Sequence, residues 1–263
     1  MLVTSNGETA GALSAGCIEE EVAKHAGDVI ASGKPKLVSF DTRRRFGCSG
    51  SIEIFIERLD DGVILALKEK IAARQTCNII TVFEGSGPLG SSIAEFSPSI
   101  HAFVQRIEPA IRLLIFGEGT DADALAAQAQ LLGWEVYVLP SITELRVGID
   151  HRTAVVIATH NFGRDCAALR QLLPLGLRYV GLMGPRRRRE ELLIDVLDTG
   201  ATLTSELFAP AGLDLGAEMP EEIALSIVAE IQRVFASASG EYLRDRKAPI
   251  HQENSVTWEE LPA

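Results

Sequence analysis

The sequence predicts an α/β protein in which a small N-terminal α+β domain precedes a domain built on a doubly wound parallel sheet. From Arg112 onward, short apolar strands alternate with helical stretches, a pattern typical of parallel sheets covered by helices on both faces. A glycine-rich turn follows the first of these strands. Before Arg112, residues 52–57 instead alternate with the period of a strand and follow a helix-and-loop region.

The N-terminal domain is predicted to span residues 1–105. Asn6-Gly7 indicates a turn, and Ser14 is suited to cap a helix whose apolar residues recur at helical spacing from Ile18 to Ile30. Gly33 and Pro35 are expected to end that helix. Further along, the pattern predicts strands at 37–40, 52–57, 79–83 and 100–104, a helix at 63–73 and a loop at 84–90.

The second domain is predicted to span residues 106–240, and residues 241–263 form a polar tail. Apolar runs predict its strands at 113–116, 136–139, 155–158 and 179–182. Helices are predicted at 121–132 and 164–173, and two more begin at Pro185 and Pro220, because proline suits the first helical turn.

Composition narrows the class of protein. The 263 residues are 46% hydrophobic and carry a net charge of -11, so nonspecific binding to nucleic acid or to an anionic membrane is not expected. The start lacks the features of a secretory signal, and we expect a cytoplasmic protein. The four cysteines, Cys17, Cys48, Cys77 and Cys166, are scattered, which favours reduced thiols and argues against a closed zinc site.

The glycine-rich turn runs from Gly117 to Ala122 and has the G-x-G-x-x-A form of a dinucleotide fingerprint. Gly117 permits the tight turn, and Gly119 allows a phosphate to approach the backbone at a helix start. This turn makes the second domain Rossmann-like. An NAD(P)-dependent oxidoreductase is therefore one alternative, although no acidic residue follows Val138 to bind a ribose.

Two of the cysteines lie in loops rich in small residues. Cys17 follows Ser14 and Gly16, and a helix start favours a thiolate there. Cys48 lies between Gly47 and Ser49, just after Arg43-Arg44-Arg45, and this composition suits an anionic, phosphate-bearing ligand. A packing role for Cys17 and a solvated loop for the arginines remain open. Cys77 and Cys166 are predicted to be core residues.

Six ordered elements of the sequence resemble the signatures of the XdhC/CoxI family. The first two contain Cys17 and Cys48, and the third contains the glycine-rich turn. The elements are residues 11–19, 47–54, 115–119, 159–165, 179–187 and 212–224. The chain begins almost on the first signature, so we expect a version shortened at the N-terminus.

The resemblance implies an accessory protein that is not itself an oxidoreductase. Such a protein binds molybdenum cofactor, as molybdopterin or its cytosine dinucleotide form, while a cysteine desulfurase supplies the terminal sulfur. It then passes the cofactor to a molybdenum hydroxylase such as xanthine dehydrogenase. The resemblance also implies a homodimer, and it makes Cys17 the first candidate for contact with the metal and Cys48 the second.

Polar residues also follow two strands of the second domain. His160 is expected at the carboxyl end of the sheet, where Asp165 could orient it or a ligand, and ordinary strand-end packing stays open for both. Arg186 begins a run of four arginines that could bind phosphate or a partner protein, with Arg188 and Arg189 on a solvated face. The candidate cofactor-binding residues are thus Ser14, Gly16, Cys17, Gly47, Cys48, Ser49, Gly117, Gly119, His160, Asp165 and Arg186.

Overall fold

The computed structural model of the chain describes residues 1–13, 18–41, 50–95, 101–200 and 203–247. These residues divide into two compact units, one from Met1 to Pro109 and one beginning at Ala110. The sequence pattern predicted a boundary after residue 105, which lies inside a strand that ends at Ile107. Within the described ranges, no helix is long and apolar enough to cross a bilayer.

The first unit combines short helices with antiparallel strands. Its elements are β1 (Leu2–Val3), β2 (Thr9–Ala10), α1 (Glu19–Ser32), β3 (Lys36–Asp41), β4 (Ser51–Ile56), α2 (Asp61–Ala72), β5 (Cys77–Val82), β6 (Gly90–Ile93) and β7 (Ala102–Ile107). Strands β1 and β2 pair with each other, as do β3 and β4, and β5 lies between β6 and β7 in a third antiparallel sheet. The α+β character predicted for this part is confirmed.

Helix α1 packs on the β3–β4 hairpin through one apolar side. Val22, Ala26 and Val29, spaced by about one turn, bury against Phe40 and Ile56 of the hairpin. The helix ends at Gly33, whose φ of 67° is left-handed and therefore favours glycine. The predicted end of this helix is confirmed.

Two details of the first unit differ from the prediction. Helix α1 begins at Glu19 with Ile18 at its N-cap, so a cap at Ser14 is wrong. Strand β6 was not predicted, because its sequence, Gly-Ser-Ser-Ile, has almost no apolar pattern. Its backbone ladder with β5, from Gly90 opposite Val82 to Ile93 opposite Ile79, forms the strand instead.

The second unit is a five-stranded parallel sheet with helices on both faces. Its elements are β8 (Arg112–Gly117), α3 (Thr120–Leu131), β9 (Glu135–Leu139), β10 (Thr153–Ala158), α4 (Phe162–Leu172), β11 (Tyr179–Leu182), α5 (Arg186–Asp198), β12 (Leu207–Phe208) and α6 (Pro220–Phe235). The strand order is β12-β11-β10-β8-β9, and every neighbouring pair is parallel.

The two faces of this sheet bury alternate residues of the same strands. In β8, Leu113 and Ile115 pack with α3 and α6, whereas Leu114 and Phe116 pack with α4 and α5. Strands β8, β10 and β11 are buried at every position, which explains why they read as continuous apolar runs. The predicted doubly wound sheet is confirmed.

A buried polar network holds the loop after β12 against the sheet. Tyr179, fully buried, donates its hydroxyl hydrogen to Glu230 of α6 at 2.7 Å, and the same carboxylate oxygen accepts the backbone N–H of Gly212 at 2.8 Å. Burial and then the negative charge of Glu230 raise the pKa of Tyr179 well above its ordinary value of 10.0. The neutral hydroxyl is therefore the form that the folded chain stabilises.

This network is predicted to stabilise the fold at neutral pH and to lose that effect at alkaline pH. Because the pKa of Tyr179 is higher in the folded state, its contribution is complete below pH 10 and is lost as the pH rises above that value. We expect Tyr179→Phe to flatten the decline of thermal stability between neutral pH and about pH 11. A Tyr242→Phe control, at an exposed tyrosine, should leave the decline unchanged. The measurement is the melting temperature by circular dichroism across this range, and an unaltered decline in Tyr179→Phe would contradict the assignment.

Candidate functional site

The carboxyl ends of β8 and β10 lie at the point where the strand order reverses, and sheets of this type generally have a crevice there. The chain passes from β8 to β9 on one side and then returns to β10 on the other side of β8. In open parallel sheets of this order, such a switch point is where ligands bind. The structure brings together here three of the predicted site residues, Gly117, Gly119 and His160.

Glycine is required at the end of β8 because the strands approach closely. A Cβ added to Gly117 would lie 2.5 Å from the carbonyl oxygen of Ala158 on β10. Gly119 caps α3 with a φ of 92°, and a Cβ there would meet no atom within 4 Å. The turn therefore presents open backbone at a helix N-terminus, as the fingerprint predicts.

The charges around this turn oppose a dinucleotide. Glu118 is exposed, and Asp121 and Asp123 lie in the first turn of α3, where their carboxylates occupy the end of the helix that attracts anions. Strand β9 ends at Leu139 and is followed by Pro140 and Ser141, so no acidic side chain stands at its tip. These features support the sequence argument against NAD(P) binding.

His160 projects from the end of β10 in a left-handed conformation, with a φ of 53°. Its side chain is 60% exposed, and Nε2 lies 3.6 Å from a carboxylate oxygen of Asp121. Because more than half of the side chain is exposed, the imidazole is accessible to a ligand. Asp121 was not among the predicted site residues.

Asp165 lies in the first turn of α4 and is only 1% exposed. The hydroxyl of Thr159 donates a hydrogen bond to one carboxylate oxygen. Arg188 donates to the other from Nε at 3.2 Å and from Nη2 at 2.6 Å. Thr159 also accepts the backbone N–H of Asn161 at 3.1 Å. Asp165 therefore connects the strand-end loop that carries His160 to helix α5.

The arginine run of α5 divides into exposed and anchored members. Arg186 is exposed, and Arg187 forms an ion pair with Glu191 at 2.9 Å. Arg188, in contrast, is 23% exposed and bonded to Asp165, so the interpretation that placed it on a solvated face is wrong. Sequence reasoning missed it because the residue that binds it lies on another helix.

A second candidate site is an open cavity of about 780 Å³ in the first unit. Its walls include three phenylalanines and several aliphatic side chains, with a small number of polar groups. The lining residues are Met1, Leu13, Ile18, Leu37, Ile52, Glu53, Ile54, Phe55, Glu57, Thr81, Phe83, Phe103 and Gln105. Mostly apolar concavities with few polar groups are typical of small-molecule sites.

Two residues of the cavity wall are close in the sequence to the segments that carry the predicted cysteine residues. Ile18 follows Cys17 directly in the sequence, and Ile52 is close behind Cys48. Six of the predicted residues fall outside the described parts of the chain: Ser14, Gly16, Cys17, Gly47, Cys48 and Ser49. The structure does describe the residues that flank these segments in the sequence.

Glu19 holds the two ends of the first of these segments. Its carboxylate accepts the backbone N–H of Leu13 at 3.1 Å and that of Ile18 at 3.1 Å. Glu19 is the first residue of α1, and its carboxylate satisfies two backbone donors that lie ahead of the helix. The sequence placed Glu19 within a family signature but indicated no contact for it.

Glu57 supplies a fixed carboxylate in the wall of the cavity. It accepts the backbone N–H of Ser91 at 2.7 Å and also the hydroxyl hydrogen of the same residue. Ser91 in turn lies 2.7 Å from the hydroxyl of Thr81. No sequence signal pointed to Glu57, because its partner lies on the unpredicted strand β6.

The described cysteines are structural, as predicted. Cys77 is 8% exposed and Cys166 is 3% exposed. Burial, followed by a hydrogen bond with Asp195, raises the pKa of the Cys166 thiol to about 11, so it is protonated at neutral pH and a poor nucleophile. Across the described residues, no group of three or more His, Cys, Asp and Glu side chains could hold a metal ion.

Two family models match the sequence. The model of the XdhC Rossmann domain matches residues 113–231, and the model of the XdhC and CoxI family matches residues 1–41. The first range contains the switch-point crevice, and the second contains Glu19 and the residues on either side of it. Together the two ranges take in more than half of the chain.

Known proteins are similar to this chain over most of its length. The chain is 28% identical to a probable xanthine dehydrogenase subunit of Bacillus subtilis (strain 168), over 88% of this chain and 86% of the relative. It is 24% identical to the molybdenum cofactor insertion chaperone PaoD of Escherichia coli (strain K12), over 89% of this chain and 77% of the relative. The crystal structure of a xanthine dehydrogenase from Bacillus halodurans shares its fold, with a TM-score of 0.71 at 24% identity over 93% of this chain and 87% of that chain.

Proposed function

Because the chain belongs to the XdhC and CoxI family, we propose that it is an accessory protein that binds molybdenum cofactor and delivers it to a molybdenum hydroxylase. The names of two relatives support this role, since one is a cofactor insertion chaperone and the other a probable xanthine dehydrogenase subunit. The cofactor is cargo in this proposal, so the chain needs a site that can both hold it and release it.

The observation that carries the proposal is the arrangement around the cavity of the first unit. Glu19 holds the residues on both sides of the segment containing Cys17, and Ile18 and Ile52 line the cavity. We propose that Cys17 contacts the molybdenum or its dithiolene, since a thiolate is a soft ligand. Cys48 is the second contact. Small residues next to them in the sequence, Ser14, Gly16, Gly47 and Ser49, would leave room for a bulky ligand.

We propose divided roles for the residues of the switch-point crevice in the second unit. Gly119, His160 and Arg186 present accessible groups that can contact a phosphate or a protein partner. Gly117 and Asp165 instead shape the crevice, since one permits the close approach of two strands and the other anchors the loop of His160. Only the first three are therefore expected to touch a ligand.

The finer parts of the role are also proposals. The chain would hold molybdopterin or its cytosine dinucleotide form while a cysteine desulfurase adds the terminal sulfur. It would act in the cytoplasm as a homodimer and would pass the cofactor to a hydroxylase related to xanthine dehydrogenase. A carrier that passes on its cargo is not itself required to catalyse a reaction.

The proposal predicts that sulfur at position 17 is needed to retain the cofactor. We expect the wild-type chain, purified without oxygen from a cell that makes molybdopterin, to carry cofactor, and Cys17→Ala to lose at least about nine-tenths of it. The measurement is pterin fluorescence after oxidation together with molybdenum content.

The matched control is Cys166→Ala, which removes a buried thiol in the other unit and should leave the bound cofactor unchanged. If the wild-type protein carried no cofactor at all, the proposed function would be contradicted. Cys17→Ala protein that retains the full amount would remove Cys17 from the site while leaving the carrier role in place.

A further inference from the structure

Glu57 presents acceptor positions to the cavity that its described partners leave open. A carboxylate has two oxygens and about four acceptor positions. Ser91 uses one position on each oxygen, through its N–H at 2.7 Å and through its hydroxyl. These two donors of one residue take the edge that a guanidinium would otherwise occupy. The outer positions point apart, so each of them can accept one further N–H donor.

The Ser91 contacts also fix where this carboxylate lies. Ser91 belongs to β6, which pairs with β5, and its hydroxyl is 2.7 Å from that of Thr81. A glutamate that is already held by two hydrogen bonds loses less side-chain entropy when a ligand binds than a free one does. Glu57 is thus preorganised as an acceptor within the cavity wall.

The other walls suit a flat ring. Phe55, Phe83 and Phe103 line the same cavity, and Phe103 is 46% exposed, so its ring is accessible to a ligand. Aromatic faces attract flat heterocycles through stacking. The volume of about 780 Å³ is also within the usual range of small-molecule sites.

Building on the proposed function, we propose that this cavity binds the pterin ring system of the cargo and that Glu57 is its specificity-determining residue. The pyrimidine edge of a pterin carries an amino group, which can donate one N–H to an open position on the carboxylate. The phosphate and the dithiolene are anionic and are repelled by Glu57, which lines the cavity. This carboxylate therefore also selects the orientation with the pyrimidine edge facing it.

The test compares two free probes, pterin and lumazine. Lumazine has the same fused rings but carries an oxygen in place of the amino group, so it would face Glu57 with an acceptor. We expect the wild-type chain to bind pterin about tenfold more tightly than lumazine. This is the difference in affinity expected when one hydrogen bond to a charged group is lost. Glu57→Gln should reduce the preference to less than about twofold. Fluorescence titration of each probe gives the affinities.

Two further variants make the result specific. Glu53→Gln changes a second carboxylate of the cavity, one that is exposed, and should keep the preference. Phe103→Ala removes a half-exposed ring and should weaken the binding of both probes by a similar factor of about five. Thermal melts of all variants check that they are folded.

The inference is overturned if the wild-type chain binds neither probe, binds both equally, or keeps its preference in Glu57→Gln. Cofactor retention, measured on the same wild-type preparation, separates these results from the proposed function. If the cofactor is retained but the probes are not discriminated, only the proposed pterin-ring site is rejected. Discrimination between the probes without retained cofactor supports the ring site and rejects the carrier role.

Discussion

Arg188→Ala is expected to lower the free energy of unfolding of the second unit by about 3 kcal/mol, the cost of breaking a buried ion pair from one side. The variant leaves Asp165, which is only 1% exposed, with the Thr159 hydroxyl as its remaining described side-chain donor. The carboxyl group of Asp165 then lacks the arginine partner that it has in the wild-type chain. The measurement is urea denaturation followed by circular dichroism.

The adjacent residue provides the matched control. Arg187 is 89% exposed and pairs with Glu191 one turn along the helix, so Arg187→Ala should change stability by less than about 0.5 kcal/mol. The double variant Asp165→Ala/Arg188→Ala should be less destabilised than Arg188→Ala alone, because no unpaired charge is left buried. Equal losses for the Arg187 and Arg188 variants would show that the pair contributes no more than a surface contact.

The same pair illustrates what the sequence could predict at this site. The predicted position of His160 just after β10 is confirmed, because that strand is a continuous apolar run that ends at Ala158. Which groups face a ligand and which are buried depends on α5, whose first turn reaches Asp165 from 23 positions along the chain. A local pattern carries no information about such a contact.

The fold was predictable to different extents in the two units. The buried strands of the second unit were found almost residue by residue because burial on both faces requires apolar side chains throughout. Strand β6 depends on backbone pairing with β5, and Glu57 depends on Ser91 within it. The cavity and its carboxylate therefore emerged only from the structure.

Gly117→Ala is expected to be the second strongly destabilising change, with a loss of about 3 kcal/mol, at the upper end for an inserted methyl group. The new Cβ would lie 2.5 Å from the carbonyl oxygen of Ala158 and 2.9 Å from its carbonyl carbon. Both atoms belong to the backbone of β10, a strand bonded on both sides within the sheet. No side-chain rotation can relieve this contact, so β8 and β10 must separate at the switch point.

The control for this prediction is Gly163→Ala in the first turn of α4. A Cβ there would meet only the side-chain oxygen of Asn161, at 3.6 Å, an ordinary contact. That variant should be neutral or more stable by about 0.5 kcal/mol, since alanine reduces the freedom of the unfolded chain. If Gly117→Ala were as stable as Gly163→Ala, the strands could not be as close as described. The glycine would then be there for a ligand's approach to the backbone rather than for the packing of the sheet.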